Sequence, residues 1–135
     1  MPFVLDVAVE KADIDRLGHA SNQVYLRWVL DAALAHSTAL GLNEAAYVAR
    51  GQAWVVRRHE LTYLRPALEG DRLRVETRVA NMSAASSVRR TRILRASDGA
   101  VLLEATTDWV YVDIPRGRPC RIPTDVRRRF PVEPD

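Results

Sequence analysis

Cysteine, lysine and long apolar runs are scarce in this chain of 135 residues. Cys120 is the only cysteine, which excludes an internal disulfide and is typical of a reducing compartment. No apolar run approaches the length of a membrane span, and the first residues show no signal-peptide pattern. We therefore expect a cytoplasmic protein without a membrane segment. No histidine and carboxylate spacing predicts a metal site, and neither a Gly-rich phosphate loop nor a Gly-x-Ser-x-Gly elbow is present.

The positive charge consists almost entirely of arginine. Lysine and arginine together number 20, Lys11 is the only lysine, and the net charge is +3. Arginine suits bidentate phosphate contacts, but here it alternates with acidic and apolar residues, and no aromatic stacking motif accompanies it. We therefore expect no nucleic-acid partner. The length, without repeats or linkers, predicts one domain over residues 1–135.

The hydropathy pattern predicts one strand, a long helix and then a series of strands. The helix has polar residues in one narrow stripe (Gln23, Arg27, Asp31 and Thr38), so we expect it to be buried on several sides. Residues 72–79 alternate strictly between apolar and charged, as a half-buried antiparallel strand does. The predicted strands are 3–10, 52–63, 72–79, 88–94 and 101–113. The predicted helices are 22–40 and 125–130, the second capped by Thr124, and residues 43–50 are expected to be a short helical or irregular piece.

A sheet that follows such a helix can bury it by curling around it. This favours an α+β hotdog fold, a curved antiparallel sheet of about five strands wrapped around one long central helix. An α+β sandwich with the helix packed on one face is the alternative. Asp98-Gly99 between the last two long strands predicts a hairpin.

Most of the candidate chemistry lies in residues 13–22, directly before the long helix. The segment holds Asp13, Asp15, His19, Ser21 and Asn22. A helix start offers unpaired N–H groups and a positive dipole end, which can polarise a carbonyl. A nearby carboxylate would supply the base or nucleophile for hydrolysing an acyl group. The alternative is that Asp13, Ser21 or Asn22 only caps the helix.

At this segment the sequence resembles the 4-hydroxybenzoyl-CoA thioesterase family of hotdog proteins. The resemblance covers residues 3–124 and rests on a set of short motifs: Asp13-x-Asp15-x-x-Gly18-His19, Asn22, Tyr25-Leu26-Arg27-Trp28, Tyr63-Leu64-Arg65-Pro66-Ala67, Gly70-Asp71, Asp98-Gly99 and Gly117-Arg118-Pro119. It implies an acyl-CoA thioesterase that needs no cofactor. The acid that many relatives carry on the helix is replaced here by Leu30, with Asp31 shifted by one position.

The resemblance assigns roles residue by residue. Asp15 would attack the thioester carbonyl or activate a water, and the backbone N–H of Asn22 would hold the thioester oxygen. Gly18 would allow a close approach in the turn, and His19 would position groups around the site. Asp13 would be structural. The implied substrate contacts are Tyr25, Arg65, Ser86 and Arg90, with Arg89 and Arg92 as further candidates for the phosphates of coenzyme A.

The resemblance also implies a homodimer or homotetramer with its site between subunits, acting on acyl-CoA or on an acyl carrier protein. One alternative is a non-catalytic binder or sensor of acyl thioesters on the same fold. A hotdog dehydratase fits poorly, because its Asp-x-x-x-x-His spacing is missing. Outside the segment, Cys120 is expected to be inert, His36 to serve packing and His59 to lie on the surface. We expect the tryptophans Trp28, Trp54 and Trp109 in the core or an interface, although one could line an acyl pocket.

Overall fold

A computed structural model describes residues 1–135 and has one sheet and three helices. The strands are β1 (Phe3–Ala8), β2 (Gln52–Tyr63), β3 (Arg72–Met82), β4 (Ser86–Arg95), β5 (Val101–Asp113) and β6 (Arg118–Pro119). The helices are α1 (Asn22–Ala39), α2 (Glu44–Arg50) and α3 (Thr124–Arg129), and a 3-10 turn spans Lys11–Asp13. None of the helices is both long and apolar enough to cross a membrane.

The sheet is antiparallel with the strand order β1-β3-β4-β5-β2, and the short β6 pairs with β5. β1 and β2 therefore form its two long edges. Strand β3 alternates as predicted: Leu73, Val75, Thr77 and Val79 are all at most 2% exposed and face the helix side. The predicted hairpin at Asp98-Gly99 is also confirmed, with Gly99 at a φ of 72° between β4 and β5.

Helix α1 lies against the concave side of the curled sheet, so the predicted α+β hotdog arrangement is confirmed. Within one chain, however, only one stripe of the helix is buried: Tyr25, Trp28, Val29, Ala32, Ala33, His36 and Ser37. The spacing of three and four residues is that of a single helix face. The prediction of burial on several sides is wrong for the isolated chain, and Leu34 is 59% exposed.

At the C-terminal end, one prediction needs correction and one short element was not predicted. Helix α3 begins at Thr124, so Thr124 is its first helical residue and Pro123 is the cap position, without a side-chain hydrogen bond. Proline is tolerated beside a helix start, because it has no backbone N–H that would need an acceptor. The two-residue strand β6 was not predicted, since two residues carry no periodicity.

The concave side holds two apolar clusters, one at each end of α1. The larger contains Tyr25, Trp28 and Val29 from the N-terminal half of the helix. The smaller lies at the C-terminal end and includes Leu42, Tyr47, Tyr111, Val126 and Phe130. Buried polar side chains from the middle of the sheet separate them: Thr77, Arg89, Thr91 and Thr107.

Candidate active site

The segment before α1 folds into a tight hairpin that is held by main-chain hydrogen bonds. Asp15 N–H donates to His19 O (2.9 Å) and Gly18 N–H donates to Asp15 O (3.1 Å), and Ile14 and Ala20 form an antiparallel bridge. Ala20 N–H donates to Ala67 O (2.9 Å), which ties the hairpin to the loop after β2. The hairpin therefore has a fixed position relative to the helix start.

Within this hairpin the Asp15 carboxylate is half-buried and only partly engaged. Its Oδ1 accepts a hydrogen bond from Leu17 N–H (2.8 Å), and its Oδ2 accepts none. A short side chain that bonds the amide two residues further on is the usual device of an Asx turn. One oxygen thus fixes the side chain, while the other is free to act on a ligand.

The first turn of α1 has no side-chain cap. The cap position is Ser21, whose side chain makes no capping hydrogen bond, and the N–H groups of Asn22 and Gln23 have no acceptor in the chain. The only satisfied donor of this turn is Val24 N–H, which bonds Ser21 O at 3.0 Å. The side chains of Asp13, Ser21 and Asn22 therefore do not cap α1, so the capping alternative is wrong. The N–H groups of Asn22 and Gln23 remain without acceptors.

Two tyrosines form the wall beside these donors. Tyr25 is 3% exposed, and its hydroxyl accepts the N–H of Ala67 at 2.8 Å. The Tyr63 ring packs edge-on against it at 5.4 Å between centroids, and the Tyr63 hydroxyl donates to Asn22 O at 3.4 Å. Burial raises the pKa of Tyr25, and the negative charge of Asp15 raises it further. The Asp15 carboxylate thus disfavours ionisation of a tyrosine in the first turn of α1.

In contrast to Asp15, both carboxylate oxygens of Asp13 accept hydrogen bonds within the chain. It is 7% exposed, its Oδ1 accepts from Arg27 (3.0 Å), and its Oδ2 accepts from Glu10 N–H (2.9 Å). Its carbonyl accepts the N–H of Ser21 at 3.0 Å. These contacts join the 3-10 turn to the helix, which agrees with the structural role expected for Asp13.

Gly18 and His19 lie in the hairpin turn. Gly18 has a φ of +87°, and a Cβ placed there would meet nothing within 4 Å. The turn therefore requires glycine for its left-handed backbone, and the close approach expected at this position is absent from the single chain. His19 is half-buried, and its side chain makes no hydrogen bond within the chain.

The residues expected to contact substrate are not all at this end of the molecule. Arg65 is exposed two residues before Ala67, and it donates to Val101 O at 3.3 Å. Ser86 pairs with Val110, whereas the Asp15 hairpin lies beside the opposite end of β5. Eight residues of strand separate these ends, roughly 27 Å. Ser86 and Asp15 of one chain therefore cannot contact the same small group.

Arg90 lies on the outer face of the sheet, because its neighbour Arg89 faces α1. Its guanidinium pairs with Asp135 (2.7 Å) and donates to Thr106 (2.7 Å). Together with a second arginine, Arg78, it holds the pKa of the Asp135 carboxyl at about 2. This ion pair and the outer location separate Arg90 from the Asp15 hairpin.

A cavity of about 440 Å³ opens at the other end of α1. Its lining is mainly apolar and includes Trp54 and Trp109, two of the tryptophans considered for an acyl pocket. From Asn22 to Ser37, which lines the cavity, the helix rises roughly 22 Å. This cavity is thus distant from the Asp15 of its own chain.

Sequence reasoning underrated several polar residues on the concave side. Arg89, one of the candidates for the phosphates of coenzyme A, is 6% exposed and bonds His36 on the concave side. His59 is half-buried, and its Nδ1 lies 3.0 Å from Thr107 Oγ1, so the expected surface position is wrong. Strand alternation could have indicated both residues, since each lies two positions from an inward-facing neighbour (Thr91 and Leu61).

Comparison with protein families gives one match that spans most of the chain. Residues 9–130 match the family model described as the thioesterase-like superfamily. Among curated proteins, the chloroplastic acyl-acyl carrier protein thioesterase ATL3 of Arabidopsis thaliana is 25% identical over 126 residues. The alignment covers 93% of this chain and 66% of the plant protein, just under two thirds of its length.

Comparison with solved structures supports the same fold. The 1,4-dihydroxy-2-naphthoyl-CoA thioesterase Slr0204 from Synechocystis superposes with a TM-score of 0.89 at 22% identity, covering 96% of this chain and 95% of that one. A putative oleoyl thioesterase from Lactobacillus plantarum superposes with a TM-score of 0.93 at 21% identity, covering all of this chain and 52% of that one. At such identities the likeness establishes the architecture and leaves the substrate open.

Proposed function

We infer the reaction from one premise: this chain belongs to the thioesterase-like superfamily, and it is therefore a thioester hydrolase with the hotdog fold. We propose that it acts on an acyl-CoA, adding water across the thioester bond to release the free acid and the thiol. The Synechocystis structure is named for a CoA thioester and the plant relative for an acyl carrier protein. An acyl carrier protein is therefore the alternative carrier of the acyl group.

The observation that carries the catalytic proposal is the uncapped start of α1 next to a half-free carboxylate. The N–H of Asn22 has no acceptor in the chain, and the Asp15 Oδ2 has no donor. In our proposal the thioester oxygen accepts the Asn22 N–H, which stabilises the negative charge that develops on it. Asp15 then attacks the carbonyl carbon directly or removes a proton from the attacking water.

The surrounding residues have supporting roles in this proposal. Tyr25 and Tyr63 hold the Asp15 hairpin and the helix start together through Ala67 N–H and Asn22 O. Arg65 is exposed beside this hairpin, and it is our first candidate for the phosphates of coenzyme A. The half-buried His19 would orient water or the thiol near Asp15.

We propose a homodimer joined along β2 as the working form. β2 is a sheet edge of 12 residues with unpaired backbone groups, a usual place for a second copy to pair. Apolar side chains are exposed around this edge and the cavity: Leu34, Val48, Val55 and Ile114. An antiparallel pair centred on β2 would bring Gln52, a cavity residue, beside the partner subunit's Tyr63.

This pairing would bring the cavity of one subunit close to the Asp15 of its partner, although the two are far apart within one chain. The acyl group would lie in the cavity of one subunit, and its thioester would meet the helix start and Asp15 of the other. It would also bring Ser86 of one subunit nearer to the site of its partner. Sedimentation velocity at micromolar concentration should give a dimer or a tetramer, and a stable monomer that turns over substrate would refute the shared site.

The test of the proposed function is thiol release from a panel of acyl-CoA thioesters, covering benzoyl, phenylacetyl, hexanoyl and decanoyl groups. Asp15→Asn should lower kcat by about 10²–10⁴-fold or more, because it removes the base or nucleophile. The fold should survive, since the asparagine oxygen can still accept the Leu17 N–H.

Asp13→Asn is the matched control, because Asp13 lies two positions before Asp15 and both of its carboxylate oxygens are bound within the fold, by Arg27 and by Glu10 N–H. It weakens the ion pair with Arg27 and should lower the melting temperature while kcat stays near that of the parent. Unchanged turnover in Asp15→Asn would refute the catalytic assignment. No release from any CoA thioester by folded parent protein would direct the assay to acyl carrier protein substrates.

A further inference from the structure

The cavity at the C-terminal end of α1 contains a cation with no counter-charge. Arg89 lines the cavity and is 6% exposed. Its Nη1 donates to Thr77 Oγ1 (3.1 Å) and lies 3.0 Å from His36 Nδ1. Its Nε and Nη2 groups donate to no acceptor in the protein, and no carboxylate pairs with it.

His36 cannot supply the missing negative charge. Burial and the neighbouring Arg89 cation lower its pKa to about 4, so the imidazole is neutral at physiological pH. Phe3 stacks on its ring at 5.0 Å and Phe130 packs edge-on at 5.8 Å. The ring is thereby held with Nδ1 as an acceptor for the guanidinium, which orients Arg89 without neutralising it.

Arg89 keeps its charge despite this burial. Burial lowers its pKa to about 10, still above neutral pH. The other cavity residue that could neutralise it is Glu44, which is exposed at the first position of α2 and forms no ion pair with it. A buried charge without a partner is costly to the folded state. Folding alone gives no reason to retain it.

A second donor lies in the wall of the same cavity. Trp109 lines it, and its indole N–H is the only fully buried side-chain polar atom of the chain without a hydrogen-bond partner, whereas the free Arg89 groups are not fully buried. Trp109 pairs across the sheet with Ser87, which precedes Arg89 by two positions, so all three face the concave side. The part of the wall formed by β4 and β5 thus holds two side chains with unsatisfied donors, and most of the other lining residues are apolar.

We propose that this cavity binds an acyl group whose far end carries a carboxylate, and that Arg89 selects for it. The carboxylate would accept the free Nε and Nη2 donors of Arg89 in a bidentate pair, the arrangement that guanidinium favours. The apolar walls would hold the methylene or ring carbons between the two ends. The inference rests on the proposed function, since it names the acyl class of the same hydrolase.

The experiment compares thioesters that differ only at the far end. Adipyl-CoA and hexanoyl-CoA have the same number of acyl carbons, and succinyl- with butyryl-CoA and suberyl- with octanoyl-CoA extend the series. The parent enzyme should favour the carboxylated member of at least one pair by about 10-fold or more in kcat/KM, because a hexanoyl-type end leaves the buried guanidinium unpaired. Equal values in all three pairs would overturn the proposal.

Arg89→Met should abolish or reverse this preference, whereas Arg74→Met, an exposed arginine on the outer face of β3, should retain it. The melting temperature of Arg89→Met should equal or exceed that of the parent, because an unpaired buried charge is removed. A large fall in melting temperature with the preference intact in the remaining folded protein would mean that Arg89 serves only the fold.

Binding to Asp15→Asn separates this inference from the proposed function. Isothermal titration of that variant with the same pairs reports acyl recognition without turnover. A carboxylate preference in binding with no hydrolysis by the parent would support the subsite and refute the hydrolase. Hydrolysis by the parent with equal binding of both pair members would support the hydrolase and refute the subsite.

Discussion

The two ends of helix α1 are built on opposite principles. At its N-terminal end the core is densely filled around Trp28, which is 2% exposed, and the open groups are backbone amides. At its C-terminal end a cavity replaces part of the core, and the open groups are side-chain donors, led by Arg89. If the proposed roles are right, the reaction takes place at the densely packed end and the acyl group is selected at the end that holds the cavity.

The largest effect on stability should come from removing a large side chain at the densely packed N-terminal end of α1. Trp28→Ala removes a buried indole from the larger apolar cluster and should lower the free energy of unfolding by about 3–5 kcal/mol. Met82→Ala, at the half-buried wall of the cavity, should cost only about 1 kcal/mol, because that region is already open. Urea denaturation of both variants measures the contrast, and equal losses would mean that the two ends are packed alike.

Removing one backbone donor should affect catalysis alone. Asn22→Pro deletes the N–H at the first helical position, where proline is tolerated, and Ser21 already has the extended backbone (φ −66°, ψ 152°) that precedes proline. We expect kcat to fall by about 10²–10³-fold with little change in melting temperature. Asn22→Ala, which keeps the N–H, should stay near the parent in thiol release. Equal losses in both variants would assign the role to the side chain.

The smallest effect concerns the pH dependence of the unfolding free energy, which His36 at the cavity end of α1 should control. The unfolded chain protonates His36 near the ordinary pKa of 6.5, whereas the folded chain resists until about pH 4. The stability due to neutral His36 is therefore complete above pH 6.5 and is lost as the pH falls toward 4, by up to roughly 3 kcal/mol. His36→Asn, which retains an acceptor for Arg89, should show a flatter profile of unfolding free energy between these pH values.

Much of the fold could be predicted from the sequence because its signals are local. The bounds of β2 and β5 and the start of α1 follow from hydrophobic period, a break at Pro66 and the Asp98-Gly99 turn. The extent of burial around α1 could not be predicted, because the apolar pattern of the helix does not show which of its apolar side chains, such as Leu34, the chain leaves exposed.

The two parts of the site differ in the same way. The Asp15 hairpin is contiguous in sequence, so its acid, glycine and helix start could be recognised together. The Arg89 cluster combines β1, α1, β3 and β4 through Phe3, His36 and Thr77. Neighbours of this kind are set by strand register and helix packing, which no short motif records. Sequence reasoning consequently assigned Arg89 to the phosphates and His36 to packing.

Because main-chain hydrogen bonds hold the Asp15 hairpin, some of its side chains can be substituted without changing its shape. Its shape depends on bonds between Asp15, Gly18, His19 and Ala20 backbones and on the anchor at Ala67, while the side chains of the turn between them are exposed. Random libraries at positions 16 and 17 should therefore yield mostly folded, active clones. Substitutions other than proline at these two positions keep the peptide groups that shape the hairpin, whereas Gly18 must stay glycine for its positive φ. The two exposed side chains can therefore vary and acquire new contacts while the backbone beside Asp15 stays the same.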